Sequence, residues 1–102
     1  MKTKEEIIQL GVEEFKADEI MLLQSKMLEQ AVKFQFKKKD GTIRDAVGTL
    51  NRDLMVQEDG TIWEPKGEAK PEPATIIRFF DTIKGLWRCF SVTEFIGLAV
   101  EG

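Results

Sequence analysis

Near Ala31 the spacing of apolar side chains changes from helical to alternating, and no single element accommodates both periods. Upstream, Ile8, Val12 and Phe15 fall at i, i+4 and i+7, with Glu13 and Glu14 turned to water, which is the stripe of a helix packed on one side. Downstream, Phe34 and Phe36 alternate with Lys33, Gln35 and Lys37, the pattern of a strand with one wet face. The chain therefore divides into an N-terminal helical segment, residues 1–30, and a β-rich part, residues 31–98, on which the helices pack.

Thr3 followed by Glu6 is a capping box, in which hydroxyl and carboxylate each satisfy a free backbone N–H, so a helix begins there. Continued unbroken, its apolar face would meet Glu19, Leu22 and Lys26, whereas Ile20, Leu23 and Met27 lie one position out of phase. This predicts a break near residues 16–18, with Asp18 capping a second helix that ends about Gln30.

Strand signals fill the rest. Asp40-Gly41 predicts a hairpin turn with a return strand over 42–50, in which Gly48 marks a bulge or a tight bend. Asp59-Gly60, flanked by Leu54-Met55-Val56 and Ile62-Trp63, predicts a second hairpin. Residues 65–73 hold all three prolines and almost no apolar side chains, so they read as an exposed Pro/Glu/Lys loop. Strands follow over 75–80 and 86–92, and 93–98 is either a helical turn or a closing strand. Short strands with turns at close intervals give a small antiparallel barrel of the SH3-like kind, where closure removes open edges, and the fold class is β-rich α+β.

Composition bounds the function. With 102 residues, 42% hydrophobic and 32% charged, the chain is expected to be one folded domain. Its single cysteine, Cys89, excludes an internal disulfide and suits a reducing compartment, and no signal-peptide pattern opens the sequence, so a cytoplasmic location is expected. No run approaches the roughly 18 apolar residues that cross a bilayer, so no membrane is expected. With no histidine and one cysteine the chain lacks the usual general base, nucleophile pairs and zinc-ligand clusters; it is expected to be no enzyme and to hold no metal or cofactor.

Three features are candidates for binding. Net charge is −3, yet residues 31–56 carry Lys33, Lys37, Lys38, Lys39, Arg44 and Arg52 against three aspartates. Lys33, Lys37, Lys38, Lys39 and Arg44 on one ribbon would follow a phosphate backbone while Trp87 stacks on a base; the alternative is that the lysines only keep a strand edge soluble. Arg78 and Arg88, set on one face of a hairpin, would grip a carboxylate or phosphate; the alternative is that Trp87 packs inward and the arginines pair with Asp81 or Glu94. Cys89 reads as a packing residue. Met21, Leu22, Leu23, Met27 and Leu28 exceed one apolar stripe, so they are either sandwiched inside the domain or offer Met21, Leu22, Met27 and Leu28 to a second copy or another protein.

Two stretches carry a resemblance: Lys37-Lys38-Lys39-Asp40-Gly41-Thr42-Ile43-Arg44, running on into Gly48-Thr49-Leu50-Asn51, and Phe79-Phe80-Asp81 through Leu86-Trp87-Arg88-Cys89-Phe90-Ser91-Val92. Over residues 31–96 the chain resembles the bacterial WYL-like family of Sm-like SH3 β-barrel domains, mostly of unknown function. The resemblance implies the barrel. More distant WYL domains are regulatory modules that take nucleotide or nucleic-acid ligands through basic residues near the end of the barrel; here there is no tyrosine, hence no Trp-Tyr-Leu triplet, and Ser91 stands where a second arginine is expected. Two readings stay open: a non-catalytic module for nucleic acid or nucleotide using Lys37, Lys38, Lys39, Arg44, Arg78, Trp87 and Arg88, or an interaction and oligomerisation adaptor using the apolar helical surface.

Overall fold

The computed structural model describes residues 1–99. Helix α1 spans Lys4–Gln9 behind the expected capping box: the Thr3 hydroxyl accepts from the Glu6 N–H at 3.2 Å, and the Glu6 carboxylate accepts from the Thr3 N–H at 3.2 Å. It ends earlier than the spacing suggested, at Gly11, which sits at φ +93°, a left-handed conformation that suits glycine. Helix α2 then runs Glu14–Met27 from Glu13, so Asp18 is no cap; it lies inside the helix and pairs with Lys4 across 2.8 Å. The break moves the buried face. Ile7 rather than Ile8 points inward from α1, Ala17, Ile20, Leu23 and Met27 do so from α2, and Phe15 is left 64% exposed.

The β part begins with β1 (Val32–Lys37) and β2 (Ile43–Thr49), paired antiparallel with Phe34 opposite Ala46 and Phe36 opposite Arg44. A 3₁₀ turn, Arg52–Leu54, leads to the second hairpin, whose ladder is reduced to the bridge between Val56 and Ile62. Strands β3 (Ile76–Asp81) and β4 (Leu86–Ser91) form the next hairpin. Residues 93–98 combine the two forms expected of them: a 3₁₀ turn, Val92–Glu94, delivers the chain to β5 (Phe95–Leu98), which pairs with β1.

The sheet order is β4-β3-β2-β1-β5, so it is not closed by hydrogen bonds. Its two edges are instead joined through the backbone, because one three-residue turn carries the chain from β4 to β5, and a sheet with its ends so tethered must curl. Phe90 and Phe95 lean together across the gap with ring centroids 6.0 Å apart. Inside the curl, Phe34, Phe36, Phe79, Phe90 and Phe95 pack with Ile77, Val92 and the α2 face as one core. Along β5 the helix covers the backbone, with Glu19 accepting from the Leu98 N–H at 3.4 Å.

Gly48 makes no bulge; it stays in register opposite Val32. A β-carbon there would sit 2.6 Å from Cδ2 of Phe79, so glycine is required because an aromatic ring lies on it. The next residues fasten the helix. The buried Thr49 hydroxyl donates toward the Met27 and Gln30 carbonyls, the Leu50 N–H donates to the Met27 carbonyl, and the Asn51 amide donates to the Glu29 carbonyl. The carbonyls left free at and just beyond the end of α2 thus find their donors in Thr49, Leu50 and Asn51.

Candidate functional site

Side chains on β2, β3 and β4 alternate between the curled inner face and the outer face, and the register fixes which do which. Arg44 shares the inner face with Ala46 and Gly48, Asp81 with Phe79 and Ile77, and Arg88 with Phe90. The result is a three-member ion cluster at the end of the barrel beside the β1–β2 turn. Asp81, only 2% exposed, lies with Oδ2 3.5 Å from Nη2 of Arg44 and 3.2 Å from Nε of Arg88, and its Oδ1 accepts from the Ile83 and Lys84 N–H groups at 2.9 Å each. One carboxylate therefore stands between two guanidiniums, which are 22% and 34% exposed, and the cluster is left with a surplus positive charge.

Phe36 and Phe90, stacked at 5.4 Å and 24°, form the floor of a groove of 360 Å³ that opens in front of the two arginines. Residues 37–39 supply its rim. Lys38 reaches Asp40 only at 4.0 Å, and Lys37 and Lys39 enter no ion pair among the described residues. The Asp40 carboxyl is held below its ordinary range because the Thr42 hydroxyl and backbone N–H both donate to it, which keeps the turn tied. Apolar floor, cationic wall and lysine rim make a surface suited to an anion that carries a flat apolar body.

The expected ribbon is thus divided. Lys37, Lys38, Lys39, Arg44 and Arg88 come together around one groove. Lys33 does not join them; it faces outward, paired with Val47 toward the far end of β1. Nor do Arg78 and Arg88 share a face, because the register sets Arg78 opposite Cys89 and Arg88 opposite Phe79, and neighbours on a strand point to opposite sides. Arg78 instead holds the 65–73 loop: its backbone N–H donates to Glu72 at 2.9 Å and its guanidinium to the Lys70 carbonyl at 3.1 Å.

Trp87 lies on the outer face, packed edge-on against Phe80 at 5.9 Å and against Trp63 at 5.1 Å. Sequence spacing did not indicate Trp63; a tryptophan just after a hairpin turn was its one visible signal. Also unforeseen is the clasp at the N-terminus, where the buried Lys2 ammonium pairs with Glu72 at 2.6 Å and the Pro73 carbonyl at 2.8 Å, while its backbone exchanges hydrogen bonds with the buried Gln24. On the helices, Met27 is fully buried in the core and so is not offered to a partner; Met21 is partly buried against the core, and Leu22 and Leu28 are 47% and 49% exposed. Cys89 is exposed on the rim of the groove, not packed inside, since its strand position faces outward.

No helix among the described residues is long and apolar enough to cross a membrane. The described residues include no cluster of three metal-ligating side chains. Comparison with curated proteins finds an uncharacterised 11.5 kDa protein encoded in the Gp31-cd intergenic region of Enterobacteria phage T4, 37% identical over 70 residues, a match covering 65% of this chain and 66% of the phage protein. No solved structure matches significantly. The family model named WYL_2, Sm-like SH3 β-barrel fold, matches residues 20–96, which takes in α2 from Ile20, all five strands but the end of β5, and both arginines of the ion cluster. The chain belongs to the WYL_2 family of Sm-like SH3 β-barrel domains.

Proposed function

We propose that this domain is a non-catalytic binding module that takes a phosphate-bearing ligand, a nucleotide or single-stranded nucleic acid, in the groove before Arg44 and Arg88. One observation carries the reading. A guanidinium has five N–H donors, yet within the described residues the cluster makes a single hydrogen bond from these two side chains, Arg44 Nη2 to Asp81. Nε of each arginine is buried without an acceptor, that of Arg88 lying at ion-pair distance from Asp81 but misaligned. Nη1 of Arg44 and both Nη groups of Arg88 make no hydrogen bond to protein among the described residues and are not buried, so a phosphate in the groove supplies oxygens to donors it can reach. Residues 37–39 add steering charge at the rim.

The test is a binding titration with a nucleotide and with a short single-stranded oligonucleotide over a salt series. Affinity should fall steeply with salt, and Lys38→Glu combined with Lys39→Glu should abolish binding; an affinity indifferent to salt would remove the electrostatic premise. The second reading, an oligomerisation or protein-binding adaptor, is favoured by exposed Leu22 and Leu28. Sedimentation of the wild type beside Leu22→Glu tests it, and a concentration-independent monomer in both would dispose of it.

A further inference from the structure

A second groove lies on the outer face of β3 and β4, with a volume of 580 Å³, inside the roughly 300–1,000 Å³ range of small-ligand sites. Trp63, Trp87 and Pro65 give it apolar walls, while Lys66, Lys70, Arg78 and Arg88 set four cations there against one acid, Glu68. Both indoles are half-buried and line the groove, whereas Phe80, packed edge-on against Trp87, is sealed. Nε1 of Trp87 is buried and has no acceptor. Its outer wall is no loose strand, for the Lys2–Glu72 clasp and the Arg78 backbone hold the loop in place.

Arg88 and Cys89 line both this groove and the one before the ion cluster, so the two meet along a single ridge of β4. We infer that the Trp63–Trp87 groove is a base-stacking subsite, so that the ligand is a stretch of unpaired nucleic acid crossing the Arg88-Cys89 ridge with phosphates on the Arg44 side. This rests on the anion reading of the first groove. An unpaired base uses what the second groove offers: flat faces for the indoles and a negative backbone for the flanking cations. A basic peptide is repelled by those cations, and an aliphatic one offers neither a flat face to the indoles nor negative charge to the cations.

The chain has two tryptophans, both in this groove, and one cysteine, on the ridge, so the wild-type protein carries its own reporters. Oligothymidylate, an abasic deoxyribose-phosphate strand of the same length and tripolyphosphate are titrated in parallel, reading tryptophan emission and the rate of Cys89 alkylation. Oligothymidylate should quench the tryptophans, slow alkylation and bind about tenfold or more tighter than the abasic strand. Trp63→Ala should erase that advantage while the variant still binds the abasic strand in a salt-dependent way, and Trp63→Phe should restore part of it. Equal binding of the two strands with unmoved tryptophan emission overturns the stacking subsite and leaves the anion site standing. Absence of salt-dependent binding by any of the three overturns both.

Discussion

Asp81 offers a substitution whose effects on stability and on binding should run in opposite directions. Asp81→Asn keeps an acceptor for the Ile83 and Lys84 N–H groups but replaces the oxygen facing Arg44 and Arg88 with a donor. Breaking a fully buried ion pair costs about 3–5 kcal/mol. Here the arginines are 22% and 34% exposed and turn partly to water, which reduces the cost to roughly 1–2 kcal/mol. For a domain of this size that is a fall in Tm of roughly 5–15 °C. Asp81→Ala also removes the two turn bonds, at about 1 kcal/mol each, so it should fall further by a comparable amount. Urea unfolding followed by circular dichroism measures both. Meanwhile the groove gains one unit of positive charge, so the phosphate ligand should bind Asp81→Asn more tightly than wild type at low salt, with a steeper salt slope. An Asn variant as stable as wild type, or one whose affinity drops along with its stability, would refute the view that a single carboxylate holds two guanidiniums poised for an anion.

Three other substitutions test the frame that carries the groove. Gly48→Ala should destabilise by about 1–3 kcal/mol through overpacking against Phe79 and Phe34; a chemical-denaturation midpoint equal to that of wild type would contradict the close approach. Thr49→Val leaves the Met27 and Gln30 carbonyls and the Asn51 N–H without the hydroxyl, and should cost about 2–3 kcal/mol, with hydrogen exchange quickened at the end of α2 before anywhere else. The Asp40 carboxyl is depressed, so its support for the turn is present above its ordinary value of 3.8 and is lost as the pH falls through the lower folded-state value. In Thr42→Val it should titrate closer to 3.8, as followed by carboxyl NMR, and an unmoved titration would remove the threonine from its cause.

Local pattern was enough for the strands. Alternation at Phe34 and Phe36, the Asp40-Gly41 turn and the two runs after residue 75 set most of the ladder, because a half-buried strand declares its two faces residue by residue. The helices were less legible. Gln24 occupies a buried position on α2 that a hydrophobicity pattern assigns to solvent, and it is satisfied by the backbone of Lys2, 22 residues away. Phe15, apolar and on the expected stripe, is exposed because Gly11 turns the chain first. The candidate site was half visible. Its lysines and arginines stand out in composition, but the gathering of Arg44 with Asp81 joins residues 37 apart, and the meeting of Trp63 with Trp87 depends on how a hairpin folds back over the sheet. Of the two arrangements open to Arg78 and Arg88, the register set by the turn at Gly85 gives opposite faces, with Arg88 at Asp81, and that register is invisible to spacing alone.

The 3₁₀ turn that ties β4 to β5 also orders the events of synthesis. Strand β1 finds β2 within a few residues, but its second neighbour pairs Phe34 with Leu98 and Phe36 with Phe95, at the far end of the chain. At roughly 5–20 residues per second, ribosomal elongation leaves that flank of β1 naked for about 3–13 s before its mate emerges. During those seconds a phenylalanine-bearing strand is available to any other nascent polypeptide, and α2, already made, is the element in position to shield it.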